Sequence, residues 1–289
     1  MAVPQFDPAA TLAVMQARRP LVHNITNFVA MTISANVLLA VGASPAMVHA
    51  AEEVEEFAGI ADSLVINIGT LSAASVAGMK LAAATMQRLG KPWVLDPVAC
   101  GATTFRRQTA LDLLALKPTV IRGNAGEIMA LAGACASGRK VDTGFRTTGC
   151  ANEDPGAGSK GADSIVGSDA ALDAARSLAQ ASGAVVAVTG EIDYVTDGET
   201  TVAISGGHPL MPLSTAIGCA LSATVGAFIA VEAPLAATVA ALASYAAAGK
   251  IAGLRSINGP GHFPAELCDA LYRLTPEAIA TESTVEVLA

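Results

Sequence analysis

Short, nearly unbroken apolar runs alternate along this chain with stretches whose apolar residues recur every three or four positions. Ser63–Gly69 (SLVINIG), Pro92–Val98 (PWVLDPV), Thr119–Asn124 (TVIRGN) and Ala184–Thr189 (AVVAVT) are runs of the first kind, the pattern of strands covered on both faces. Pro20–Thr26 predicts another strand and Ala46–His49 a short extended piece. Helical spacing is predicted through Val29, Ile33 and Val37 to Leu39, over an acidic Glu52–Ala61, and over Ala73–Leu89, which Gly90 closes. Further helices are predicted over Thr109–Leu116, Glu127–Leu131 and Ser168–Ala181, and three close the chain: Thr215–Val231, Leu235–Leu254 and Pro264–Leu274. Tyr194–Asp197 and Thr200–Ser205, joined across Gly198, read as a hairpin. Repeated strand–helix units predict an α/β fold with a doubly wound, mainly parallel sheet flanked by helices, in a single domain over residues 1–289.

One stretch breaks the alternation. Ser137 to Gly167 has many glycines, mixed charges and no period, which predicts a surface excursion. It contains Gly156-Ala-Gly158-Ser-Lys-Gly161, a literal GxGxxG. That stretch follows no strand and opens no apolar helix, so it fails the context a dinucleotide site needs.

Composition narrows the picture. Of 289 residues, 52% are hydrophobic and only 15% charged, so a sizeable core forms. Aromatic content of 4% suits small aliphatic side chains packed between helices and a buried sheet. The Thr215–Val231 stretch is uncharged, but its Gly218, Ser222, Thr224 and Gly226, without flanking Lys or Arg, read as a buried helix and not a membrane span. A formal net charge of −8 excludes a nucleic-acid surface, because no basic stripe exists to neutralise phosphates. A nucleotide is not excluded, since a few backbone N–H groups, one Arg and a metal can hold a triphosphate. Five cysteines without a CxxC pair, on a chain with no secretory signal, read as reduced thiols in a cytoplasm. The four histidines have no ligand spacing and read as structural or surface groups.

Ligands of open α/β sheets bind beyond the carboxyl ends of the strands. Thr26 and Asn27, Asp96, Arg122 and Asn124, and Thr189 all stand there. Each alone also suits a turn or a helix cap; together they mark one rim. Ser214–Ser222 (STAIGCALS) then opens a long helix with small residues. Free N–H groups and the positive end of the dipole make such a start a phosphate receiver. Cys219 lies in its first turn, where that field is expected to favour the thiolate.

LVHNITNFV, GASPAMVHA, LVINIGTL, WVLDPVACGAT, IRGNAGEI, VVAVTGE, the Gly-Cys helix start and GPGHFPAELCDAL occur in this order between Leu21 and Leu274. The set resembles the hydroxyethylthiazole kinases of the ribokinase-like superfamily. Residues 137–159 look like an insertion relative to the usual member. The resemblance implies ATP-dependent phosphorylation of the primary alcohol of 4-methyl-5-(2-hydroxyethyl)thiazole in thiamine salvage, with Mg²⁺ as cofactor and ATP as co-substrate. It also implies a cytoplasmic homotrimer with substrate pockets at subunit interfaces.

By the same resemblance, Met47, Asn27, Gly69 and Ala216 line the substrate pocket, and Arg122 and Thr189 contact ATP. Asp96 and Glu127 serve the metal with Asn124 in support, and Cys219, preceded by Gly218, is the base where most superfamily members carry Asp. The family's Thr-Gly-x-Gly-Cys reads Thr-Ala-Ile-Gly-Cys here. Ala216 in a left-handed conformation would be strained by about 1 kcal/mol or more. Two other readings stay open: a hydroxymethylpyrimidine or pyridoxal kinase or an NAD(P)H-hydrate dehydratase of the same superfamily, and a non-catalytic thiazole- or nucleotide-binding protein.

Overall fold

A computed structural model describes residues 5–136, 159–160, 163–164 and 167–288. The 137–159 insertion and the GxGxxG stretch lie, but for Ser159 and Lys160, outside the described residues.

Strands and helices follow in the order α1 (Pro8–Arg18), β1 (Leu21–Ile25), α2 (Met31–Val41), β2 (Ser44–Ala46), α3 (Val54–Ile60), β3 (Ser63–Asn67) and α4 (Ala73–Leu89). Next come β4 (Trp93–Asp96), α5 (Thr104–Leu114), β5 (Val120–Asn124), α6 (Ala125–Ala136), the two-residue strands β6 (Ser159–Lys160) and β7 (Asp163–Ser164), and α7 (Leu172–Ser182). The chain continues through β8 (Val185–Thr189), β9 (Ile192–Thr196), β10 (Thr201–Ser205), α8 (Ile217–Ile229), α9 (Pro234–Arg255), α10 (Phe263–Tyr272), α11 (Pro276–Glu282) and β11 (Thr284–Leu288).

The main sheet has the order β11-β10-β9-β8-β5-β4-β3-β1-β2. From β2 to β8 every pairing is parallel, and the last three strands are added antiparallel. Successive residues of the central strands feed opposite cores. Leu64 and Ile66 of β3 face the layer of α3 to α7, while Val65 faces the layer of α1, α2 and α8 to α11. Val186 and Val188 divide from Val185 and Ala187 in the same way on β8. Period-two alternation with both faces covered explains why these runs read as continuously apolar.

Several elements depart from the pattern-based expectation. The extended piece predicted at Ala46–His49 is β2 at Ser44–Ala46, set against β1 by the pairs Leu21↔Ser44 to His23↔Ala46. Helix α5 starts at Thr104 and not Thr109, because the Thr103 side chain caps it by accepting the N–H of Arg106. The hairpin starts at Ile192, since β9 pairs with β10 as far as Ile192↔Ser205. The long apolar helix that passes the length test for a membrane span is α9, not the Thr215–Val231 stretch, and most of it is buried within the protein. Helices α1 and α11 and strand β11 carry no sequence-based expectation at all.

Candidate active site

Parallel pairing puts the carboxyl ends of β1, β3, β4, β5 and β8 along one rim. Register sets Asn67 of β3 beside Asp96 of β4, and Asn124 of β5 beside Thr189 of β8. Helix α8 starts above this rim. Its small residues allow close approach: a Cβ on Gly218 would stand 3.0 Å from Arg122 Nη1, so a side chain there would make the guanidinium give way.

A line of hydrogen bonds crosses the rim. Asn27 Nδ2 donates to Cys219 Sγ at 3.3 Å and to Asn67 Oδ1 at 2.9 Å. Asn67 Nδ2 donates to Asp96 Oδ2 at 2.7 Å, and the Ser222 hydroxyl donates to the same oxygen at 2.8 Å. Arg122 Nη1 stands 3.9 Å from Asp96 Oδ2, while its Nη2 donates to Thr189 Oγ1. Seven side chains from β5, β8, α8 and the ends of β1, β3 and β4 are thus one connected unit. Asn67 and Ser222 carry no sequence-based role. The signals were there: an Asn inside an apolar run, and a hydroxyl one helical turn after Cys219 on the same face.

The remaining residues expected at the site fall around this line. Gly69 follows β3; its N–H donates to Asn67 Oδ1 at 2.9 Å, and its carbonyl accepts from Arg106 at 2.7 Å. A Cβ there would meet Asn27 Cβ at 2.8 Å. Arg106 also donates to the carbonyls of Ile68 and Val98, pinning the loops after β3 and β4 to each other. Glu127, in the first turn of α6, accepts the N–H groups of Ala99 and Asn124, and Asn124 Oδ1 caps that helix through the Glu127 N–H. Met47 is half-buried just past β2, next to β1. Ala216, the N-cap of α8, has φ 61° and ψ 8°, the left-handed conformation in which a Cβ costs about 1 kcal/mol.

Electrostatics at the rim are set by burial. The Asp96 carboxyl is pushed up from its ordinary value, chiefly by burial, against the pull of Arg122, Ser222 and Asn67. Glu127 is raised to about 7 by burial and then by the nearby Asp96 charge. Cys219 is raised to about 11, again by burial first and the Asp96 charge second. This corrects the expectation of a helix-favoured thiolate. A helix terminus contributes at most about 2 kcal/mol, and desolvation together with a carboxylate outweighs it here. His23 is a buried structural ring, as its lack of ligand spacing implied: its Nε2 pairs with the Val48 carbonyl at 2.8 Å, and burial lowers it to about 4.

A pH dependence follows. A folded-state value near 7 against an ordinary 4.5 means that Glu127 holds a proton in the folded but not the unfolded chain between those pH values. Its stabilising contribution is therefore complete below about 4.5 and is lost as pH rises through about 7. The urea midpoint of the ligand-free protein should fall between pH 5 and pH 8 on the order of this window. Glu127→Gln should flatten that slope; an unchanged slope would count against the assignment.

The charged groups of the rim could hold a metal-bound phosphate. Asp96 Oδ1 and Arg122 Nε are buried and have no hydrogen-bond partner, one free acceptor and one free donor of opposite charge. No cage of three or more His, Cys, Asp or Glu side chains exists among the described residues. Mg²⁺ does not require one, since it keeps waters and binds through one or two carboxylates plus substrate phosphates. Beside Arg122, a cavity of about 780 Å³ is lined by Thr189, Asp193, His208, Gly218 and Tyr245 among others, within the usual size of a ligand site.

An open, mainly parallel sheet with this polar rim and a small-residue helix entry above it defines a ribokinase-like α/β protein. The fold is shared with pyridoxal kinase from Staphylococcus aureus in complex with AMP-PCP and pyridoxal, at a TM-score of 0.58 and 16% identity over 93% of this chain and 98% of that one. A hydroxyethylthiazole kinase protein from Pyrococcus horikoshii OT3 is far more similar, with a TM-score of 0.84 and 39% identity over 98% and 99% of the two chains. The sequence model of the hydroxyethylthiazole kinase family matches residues 12–154 and 150–277. Relatives named hydroxyethylthiazole kinase from Cereibacter sphaeroides are 52% identical over 95% of this chain and 97% of theirs. One from Rhizobium rhizogenes is 51% identical over 98% of both. The chain belongs to the hydroxyethylthiazole kinase family.

Proposed function

We propose that this protein transfers the γ-phosphoryl group of magnesium-ATP to the primary alcohol of 4-methyl-5-(2-hydroxyethyl)thiazole, a salvage step toward thiamine. One observation carries the reading: the hydrogen-bonded line from Asn27 and Cys219 to Asp96, alongside Arg122 and the entry of α8. It joins a group able to take an alcohol proton to groups able to neutralise phosphate charge, as phosphoryl transfer requires.

In this reading Asn27, Gly69, Met47 and Ala216 hold the thiazole. Arg122 and Thr189 hold the nucleotide, whose bulk fills the cavity of about 780 Å³. Asp96 and Glu127, with Asn124 supporting the latter, would hold Mg²⁺. The metal, when bound, supplies neutralisation of phosphate charge. Gly218 lets the helix entry approach the migrating phosphoryl group, and the Cys219 sulfur, which already accepts an N–H from Asn27, receives the alcohol proton as a thiolate, after releasing its own proton to solvent when the nucleotide and alcohol bind. Family membership also supports a cytoplasmic homotrimer with pockets shared between neighbouring chains. Exposed apolar side chains such as Phe28, 76% exposed at the substrate rim, are the kind that neighbouring chains cover.

The test is coupled ADP release across a panel of heterocyclic alcohols, with the assembly measured by light scattering on the same sample. Turnover with the thiazole alcohol well above hydroxymethylpyrimidine and pyridoxal, in a trimer, is expected. Preference for either of those alcohols would move the assignment elsewhere in the superfamily. Binding without turnover would make the protein a receptor, and an active monomer would remove the shared pocket.

A further inference from the structure

We propose that Asn67, at the carboxyl end of β3, is a positioning residue that sets the direction of the hydrogen-bond line between Cys219 and Asp96, and so couples the thiazole pocket to the phosphoryl-transfer site. The proposal rests on the thiazole kinase reading above. Asn67 is 1% exposed, in a strand whose other residues are apolar but for the terminal Ser63.

Two backbone N–H groups fix the sense of the line, because a backbone N–H can only donate. The Gly69 N–H donates to Asn67 Oδ1 at 2.9 Å, so this atom is the amide oxygen and Nδ2 faces Asp96 Oδ2 at 2.7 Å. The Ala30 N–H donates to Asn27 Oδ1 at 3.0 Å, so Asn27 Nδ2 is the atom that faces both Asn67 Oδ1 and Cys219 Sγ. Neither amide can flip without setting donor against donor or acceptor against acceptor. Two consequences follow. Cys219 Sγ is held as an acceptor, the sense a proton-receiving sulfur needs. Asp96 is held by its Oδ2, from Asn67 on one side and Ser222 on the other, which leaves Oδ1 as the oxygen without a protein partner. Strand register makes this possible, since Asn67 and Asp96 are paired neighbours on β3 and β4. Aspartate has the same shape but cannot take the place of Asn67. It would keep the two acceptor bonds and lose the donor, and it would set a second carboxylate against Asp96.

Asn67→Asp and Asn67→Ala separate positioning from packing. Four quantities are compared with the parent: the dissociation constant of the thiazole alcohol for protein free of metal and nucleotide, by calorimetry; kcat and KM under saturating ATP; and the melting temperature. The parent's turnover is established first, so that a failed functional reading shows there and not in the variants. Asn67→Asp is expected to bind the alcohol within about threefold of the parent, because its acceptor bonds remain, yet to lose at least about 100-fold in kcat, the scale of misplacing a reacting group by about 1 Å. Asn67→Ala is expected to lose both, with affinity down by at least about tenfold. Should Asn67→Asp retain kcat within about threefold, or should affinity, kcat and melting temperature fall in parallel in both variants, Asn67 would be a structural residue only.

Discussion

Asp96→Asn is expected to lower turnover by at least about 100-fold while leaving the protein folded, since losing a few kcal/mol of transition-state charge stabilisation costs a factor of ten per 1.4 kcal/mol. The asparagine can still present an oxygen where Oδ2 accepts from Asn67 and Ser222, so the local packing survives. What disappears is the charge facing Arg122 at 3.9 Å and the free acceptor at Oδ1. Stability should fall modestly, because relief of a carboxylate that burial disfavours is opposed by leaving the buried Arg122 guanidinium without its facing charge. ADP release at saturating magnesium and alcohol measures the first effect and the urea midpoint the second. Rates equal to the parent's would remove Asp96 from the phosphoryl-transfer site.

At Cys219, replacements should sort by basicity and not by volume. The surroundings that lift the thiol from an ordinary 9.0 to about 11 leave it protonated at neutral pH in the ligand-free protein. A carboxylate starts about five units lower than a thiol, so the same surroundings raise it from a far more acidic ordinary value. Cys219→Asp should therefore retain substantial activity or exceed the parent, and its activity should extend to lower pH. Cys219→Ser keeps the volume without a usable base. It should lose most turnover within the roughly 10²- to 10⁴-fold range of general-base catalysis, with little change in melting temperature. Turnover of the three forms at saturating ATP and thiazole alcohol decides it. An active serine form beside a folded but inactive aspartate form would return Cys219 to a packing role.

The parts of the fold that were legible are those whose local pattern already contains the answer. SLVIN and VVAVT read as buried strands because both cores press on them, and Asp96 at the end of WVLD read as a rim residue because parallel strands point their carboxyl ends one way. The rest depends on contacts made far along the chain. Strand β11 has exposed alternate residues and exists as a strand through pairing with β10, some eighty residues away. Helix α1 did carry a local signal, since Asp7 caps it and Pro8 opens it, but its apolar stripe is short, with only Leu12 and Met15 among its large side chains buried. At the site, Arg122, Thr189 and Cys219 were legible as residue types in place. Asn67 stood out only as an asparagine in an apolar run, because near a strand end it has the same appearance whether it caps a turn or bridges two buried polar side chains. The direction of the Cys219 shift was illegible for a related reason. The helix terminus is written in the sequence, whereas the burial and the Asp96 charge that oppose it come from strands β3 and β4 beneath.

Trp93, on β4, is the single tryptophan of the chain, and it gives the protein an optical property separate from its chemistry. The indole is 1% exposed and its Nε1 meets no hydrogen-bond partner, so its fluorescence reports one apolar environment inside the core between the sheet and helices α3 to α7. It stands at the opposite end of β4 from Asp96, about 10 Å along the strand. Emission from this one ring follows the integrity of the central sheet and not the occupancy of the rim. In every variant of the rim, the fraction of molecules still folded can therefore be read from light alone, beside and independent of the rate at which they turn over.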